Sequence, residues 1–280
     1  MLRIAISPNP VGHWQGQRAG IALQAANIAY TLFEHDDPAE HVLARGDADA
    51  VVCWLCEQPP LKGDETVAIA AIVERLYPFD MLLWRTEATD RSKDFFLKEG
   101  AALSAATTLQ RWQIAEFRPD LQWENLSPYS LVQALLHLRT GEIDALVVAE
   151  ADLHAYGVPW SDFSWASLHP CECTPMAGQG ALALLVRRND IPTRRMLQRV
   201  HRPDISALTN VERRFWRDWQ EQYPHTIVGV YVERDMNRAY HFFAAIAWPN
   251  GQIRRGHISH STYAELAEHM FRNMHPNPNT

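Results

Sequence analysis

The stretch Gly141-Glu142-Ile143-Asp144-Ala145-Leu146-Val147-Val148-Ala149 decides how the chain is read. Before it, Ser130 to Thr140 carries apolar residues at helical spacing. Gly141-Glu142 stops that helix, since glycine takes the left-handed backbone of a helix C-terminus without a Cβ penalty. Ile143–Ala149 is then apolar at nearly every position, the mark of a strand covered on both faces. A helix feeding such a strand belongs to an α/β sheet.

The same alternation extends outward. Leu2 to Ser7 reads as a strand ending in Pro8-Asn9-Pro10, and a helical pattern follows from about Trp14 to Phe33. A short helix near 39–44 precedes a strand over 48–55. Further strands are expected at 80–84 and 101–105, with a helix near 109–117. This order predicts a largely parallel sheet with ligand groups at the strand C-terminal ends. After about Pro203 the character changes. A helix with Leu208, Val211, Phe215 and Trp219 on one stripe leads to strands over 226–233, 240–248 and 252–260. Thr262 and Glu265 form a capping-box pattern that opens a last helix to about Met274. This is a separate, small α+β domain.

Composition narrows the function. The chain has 280 residues, 47% hydrophobic and 21% charged, enough for ordinary globular cores. No apolar run reaches the roughly 18–20 residues of a membrane span, and Met1–Ile6 lacks the pattern of a signal peptide. The expectation is a cytoplasmic chain with no membrane partner, monomeric by preference. Net charge is −7 and the basic residues are scattered, which argues against nucleic acid as a partner. A small-molecule ligand is expected instead.

The four cysteines form two pairs, Cys53-Trp-Leu-Cys56 and Cys171-Glu-Cys173, with His169 just before the second. Four thiolates suit zinc or an iron–sulfur cluster, with His169 able to replace one ligand. The competing readings are small buried hydrophobes and a disulfide within the first pair. His257 and His260 point to opposite faces of a strand and do not suggest a shared metal.

Several segments in shared order resemble the porphobilinogen deaminase (hydroxymethylbilane synthase) family. They are Leu2-Arg3-Ile4-Ala5 with Pro10 and Trp14-Gln15, Ala48–Val52, Ala115-Glu116-Phe117-Arg118-Pro119-Asp120-Leu121, Gly141–Ala145, and Pro175-Met176-Ala177-Gly178-Gln179-Gly180-Ala181. Glu212-Arg213, Val228–Tyr231, Pro249-Asn250-Gly251 and Arg255-Gly256 continue the match. The resemblance implies three domains. Two would be hinged lobes like those of periplasmic binding proteins, residues 1–78 with 178–196 and residues 79–177. The third would be a small α+β domain over 197–280.

The resemblance also locates departures. Pro224 stands at the position of the family's cysteine, which carries a covalent dipyrromethane, so that cofactor is not expected here. Glu57 stands at the catalytic aspartate and is the candidate acid–base group. Cys53, Trp54 and Cys56 replace His, Ser and Lys. Ser7, Ser127-Pro128 and Ala134 stand where the family has carboxylate-gripping arginines, and Arg111 survives from a pair. The segment between the first helix and Ala48 is short where the family has a mobile loop.

Asn9, Gln15, Thr107, Thr108, Arg111 and Gln179 are the expected ligand contacts in the cleft. The implied function is a divergent deaminase-like protein with altered or lost hydroxymethylbilane synthesis, acting on a pyrrole- or tetrapyrrole-like or other small ligand. The alternatives are a repurposed, non-catalytic binding protein and a metal or redox protein using the cysteine pairs.

Overall fold

A computed structural model describes residues 1–59, 66–124, 130–157 and 159–275. In chain order it begins with β1 (Leu2–Ile6), α1 (Pro10–Ala25), β2 (Tyr30–Glu34), α2 (Ala39–Arg45), β3 (Ala50–Trp54) and β4 (Val67–Arg75). There follow β5 (Asp80–Trp84), β6 (Ala102–Ala105), α3 (Thr108–Phe117), β7 (Gln122–Trp123), α4 (Leu131–Thr140), β8 (Ala145–Ala149), α5 (Glu150–Tyr156) and β9 (Ser164–Ser167). The chain ends with β10 (Ala181–Arg187), α6 (Ile191–Leu197), α7 (Pro203–Gln222), β11 (Ile227–Arg234), β12 (Tyr240–Ala247), β13 (Ile253–His260) and α8 (Leu266–Met274). Two compact units result, Met1–Leu76 with Gly178–Asn210, and Tyr77–Ala177 with Val211–Thr280.

The first unit is built on a five-stranded sheet in the order β2-β1-β3-β10-β4. β1 runs parallel to β2 and β3, whereas β10 is antiparallel to both β3 and β4. The sheet is therefore mixed and not largely parallel as expected. Strand β4 was not among the expected elements, and β10 supplies the antiparallel partner of both β3 and β4.

The expected helix over 14–33 is also corrected. Asn9 caps α1, its Oδ1 accepting the Gly12 N–H at 2.7 Å, and Pro10 supplies the preset φ of a first helical turn. The helix ends at Ala25, and Asn27 turns the chain with φ 53. Tyr30–Glu34 then pairs in register with β1, Leu2 opposite Tyr30 and Ile6 opposite Glu34. Sheet pairing overrides an apolar spacing that either conformation could use.

The second unit holds a five-stranded sheet, order β7-β6-β8-β5-β9, with both faces covered. Leu82, Trp84, Ala145 and Val147 face one apolar cluster, while Met81, Leu83, Leu146 and Val148 face the other. That strict alternation of sides explains the continuous apolar run of β8. Gly141 closes α4 in the left-handed region at φ 83, as its position predicts.

The same unit contains the three-stranded antiparallel sheet β11-β12-β13. Helix α8 packs on it through Leu266, Ala267, Met270 and Met274. Gly256 on β13 permits that approach, since a Cβ there would stand 2.6 Å from the Met274 sulfur and 2.8 Å from that of Met270. The expected capping box does not form. Glu265 takes φ 61 with no side-chain cap, and Thr262 instead accepts the Ala264 N–H at 3.2 Å. The mixed α/β class with a separate small sheet is as expected, and among the described residues no helix is long and apolar enough to cross a membrane.

Candidate functional site

In the first unit, strand β3 delivers Trp54 at its end, and one 3-10 turn, Leu55–Glu57, follows. Trp54 is buried and packs against Trp14 of α1, ring centroids 5.4 Å apart at 46°. Gln15 lies beside this pair and is 3% exposed. With its amide oriented to suit its partners, its oxygen accepts both the Trp54 backbone N–H at 3.3 Å and the indole N–H at 3.2 Å. Arg18 stands 5.8 Å from the Trp14 ring and grips Glu74 bidentately, Nε to Oε1 at 2.7 Å and Nη2 to Oε2 at 2.6 Å. The structure thus brings Trp14, Gln15 and Trp54 together, with exposed Glu57 three residues further along.

Two other expected contacts of this unit are set by backbone demands. The Asn9 oxygen is engaged as the α1 cap. Gln179 is 6% exposed, and its carbonyl accepts the Arg75 Nε–H at 3.0 Å.

In the second unit, Thr107 caps α3. Its Oγ1 accepts the Gln110 N–H at 3.2 Å, while Gln110 Oε1 accepts the Thr107 N–H at 2.9 Å, a complete capping box. Gln110 also donates through Nε2 to buried Asp80 at 2.8 Å, fixing this helix start to β5. Thr108 and Arg111 are exposed on the first turn, and the Arg111 guanidinium lies 5.6 Å over the Trp123 ring. Ala134 is buried in the apolar cluster of α4. Ser127-Pro128 lies outside the described residues.

The cysteine expectation meets a different geometry. Among the described residues no group of three or more His, Cys, Asp or Glu is arranged to hold a metal ion. Cys53 belongs to the apolar core of the first unit. Cys173 is fully buried and donates its thiol to Asp80 Oδ2 at 3.3 Å. Burial pushes that thiol well up, and the Asp80 carboxylate adds to the effect, so the thiolate needed by a metal is disfavoured. Cys171 is exposed, and partial burial raises its thiol against the opposing pull of Arg255.

Sequence reasoning missed the polar spine around these residues. Gln113 holds Thr174 both ways, accepting its N–H at 2.7 Å and donating to its carbonyl at 3.0 Å. Arg255 of β13 donates to Gln113 Oε1, the Gln113 carbonyl, the Cys171 carbonyl and Glu116, and lies 4.8 Å over Phe117. Beside this spine a cavity of about 780 Å³ opens between α3 and the β12–β13 turn, with Trp112 and Trp248 in its wall. The two tryptophans flanking polar Glu116 and Gln252 were its only sequence signal.

The position implied for a covalent dipyrromethane can be tested on the α7–β11 connection. Thr226 closes a turn onto the Tyr223 carbonyl, by its N–H at 3.2 Å and its hydroxyl at 2.8 Å. Trp219 and Gln220 hold Thr226 from below, and Tyr223 OH pairs with His275 Nε2 at 3.0 Å. Pro224 lies inside this turn and there is no thiol on it. The residues present do not fit a thioether at that position.

The sequence profile described as porphobilinogen deaminase, dipyromethane cofactor binding domain, matches residues 33–195. The chain belongs to the porphobilinogen deaminase family. A probable porphobilinogen deaminase of Archaeoglobus fulgidus is 34% identical over 148 residues, covering 53% of this chain and 49% of that protein. A porphobilinogen deaminase of Limosilactobacillus reuteri is 27% identical over 213 residues, covering 76% of this chain and 67% of the other. The chain spans about half the length of the first of these relatives. Among solved structures, a periplasmic substrate-binding protein of an ABC transporter from Coxiella burnetii superposes with TM-score 0.44 at 16% identity, covering 74% of this chain and 94% of that one. Within the porphobilinogen deaminase frame, Trp54 and Glu57 fall inside the matched residues, whereas Pro224 lies beyond them.

Proposed function

We propose that this chain is a divergent porphobilinogen deaminase-family protein that binds a small pyrrole- or tetrapyrrole-like ligand and has lost, or altered, hydroxymethylbilane synthesis. The observation that carries the reading is the α7–β11 turn, where Pro224 leaves no thiol for a covalent primer. Glu57 is the acid–base candidate, since pyrrole coupling moves protons and a carboxylate at a strand end can hold one. Gln15, Asn9, Gln179, Thr107, Thr108 and Arg111 are the proposed ligand contacts. The proposal divides the chain into residues 1–78 with 178–196, residues 79–177 and residues 197–280.

The charge balance supports altered chemistry. A growing polypyrrole carries many carboxylates, and planar guanidinium groups grip carboxylates best. Arg18 is already neutralised by Glu74, and Arg111 faces Trp123.

The test is incubation of the full chain with porphobilinogen, followed by intact mass and by absorbance for uroporphyrin after acid oxidation. No added mass and no porphyrin are expected, together with a raised melting temperature in the presence of porphobilinogen. Added pyrrole mass on the chain, or uroporphyrin, overturns the loss of function. No thermal shift overturns the ligand class.

A further inference from the structure

On the three-stranded sheet of the second unit, three side chains form a hydrogen-bonded line. Asp235 lies in the turn after β11, where it accepts the Ala239 N–H at 2.8 Å through Oδ1. Its other oxygen faces His241 Nε2 at 3.3 Å. On the far side of the ring, His241 Nδ1 stands 2.8 Å from Ser259 Oγ. Residues 241 and 259 are directly opposite on β12 and β13.

The chemistry gives this line a direction. Burial pushes the Asp235 carboxyl up, but the Ala239 N–H and His241 outweigh it and hold the group below the usual range. An ionised carboxylate only accepts, so the neutral imidazole carries its proton on Nε2 and leaves Nδ1 bare. In that tautomer the bare Nδ1, 2.8 Å away, can accept the Ser259 hydroxyl proton. A cross-strand His–Ser contact by itself is ordinary sheet surface. A pinned carboxylate behind the imidazole is not needed for that role, and it completes the order nucleophile, base, orienting group.

Two features reinforce the arrangement. His257 stacks flat on Phe243, centroids 4.3 Å apart at 1°, and places its Nε2 3.5 Å from the same Ser259 oxygen. Burial, His241 and His169 favour its uncharged form, while Glu233 opposes them. In addition, β13 is an edge strand and Ser259 is exposed on it, which leaves the hydroxyl open to an approaching ester.

We propose that Ser259 is an activated nucleophile for small carboxylic esters, with His241 as general base and Asp235 as the positioning residue. Ser259 Oγ adds to the ester carbonyl and its proton passes to His241 Nδ1. The C–O bond to the leaving group breaks, and that group departs with the bonding pair and the proton from His241. Water then cleaves the acyl–serine bond by the same relay, releasing the acid and restoring Ser259. This site is separate from the residues proposed above for pyrrole ligands and does not depend on them.

The experiment treats the full chain with a fluorophosphonate, which reports the same nucleophilicity by forming an O–P bond with loss of fluoride, and with p-nitrophenyl acetate. One adduct per chain, mapped to Ser259, is expected, with none in Ser259→Ala. His241→Gln should slow labelling by about a hundredfold, the scale of general-base assistance. Asp235→Asn should slow it too, by less than His241→Gln does, with Asp235→Glu recovering part of the rate and melting temperatures unchanged, which a merely structural role would not produce. No adduct on the folded chain overturns the proposal. So does an adduct elsewhere, or labelling of His241→Gln at the unaltered rate.

Discussion

Arg255 grips Gln113 twice, donating through Nη1 to the side-chain oxygen at 3.1 Å and through Nη2 to the backbone carbonyl at 3.0 Å. Through it β13 is tied to α3, and Gln113 in turn holds Thr174. Replacing Arg255 by Met keeps much of the volume but removes these hydrogen bonds, leaving Gln113 Oε1 with the Thr174 N–H alone. Hydrogen bonds to a charged group are worth roughly 1.5–3 kcal/mol each at most, and several share one cation. Arg255→Met should therefore cost about 2–4 kcal/mol in urea unfolding. Arg255→Lys should recover less than half, because an ammonium cannot fork.

Cys173 should be silent to thiol reagents in the native chain. It is fully buried and its thiol is committed to Asp80. Alkylation at neutral pH followed by peptide mapping should modify exposed Cys171 and spare Cys173 until denaturant is added. Modification of Cys173 at the native rate of Cys171 would contradict this geometry.

Gln15→Leu should leave the Trp54 indole N–H and backbone N–H without the acceptor that serves them both. A buried donor stripped of its partner costs about 1–3 kcal/mol. The loss should appear in chemical unfolding, with a change in tryptophan fluorescence from the Trp14–Trp54 pair.

Acid should weaken the second unit. Arg118 meets Asp120 through two hydrogen bonds of 2.7 Å and holds its carboxyl far below the usual range, helped by the Gly100 N–H. The folded value is depressed, so the stabilisation is complete above the unfolded carboxylate value. It is lost as pH falls from there towards the folded one. Melting temperature should decline below about pH 4, and Asp120→Asn should flatten that decline while lowering stability at pH 7.

Parts of the fold were legible in the residues themselves. The helix stop at Gly141, the strand at Asp80–Trp84 and the three-stranded C-terminal sheet follow from turn chemistry and short-range pattern. The order of motifs from Leu2 to Gly256 carried the family. Tyr30–Glu34 was hidden, because its apolar spacing fits a helix until β1 offers a pairing edge. Glu265 was misleading for a similar reason. A capping box needs the helix to begin at the right residue, and the chain turns left-handed there.

For the chemistry the division is sharper. Sequence alone determined that Pro224 cannot carry a thioether, since that follows from the side chain's identity. It also determined that a carboxylate, Glu57, follows the β3 tryptophan. Only the tertiary structure decided what the paired cysteines do, placing Cys53 in an apolar core and Cys173 against Asp80, 93 residues away in the chain. Only it set Ser259 beside His241 and Asp235. Reactivity depends on burial, charge and partners within a few ångströms, and long-range strand pairing sets those distances where residue spacing along the chain does not.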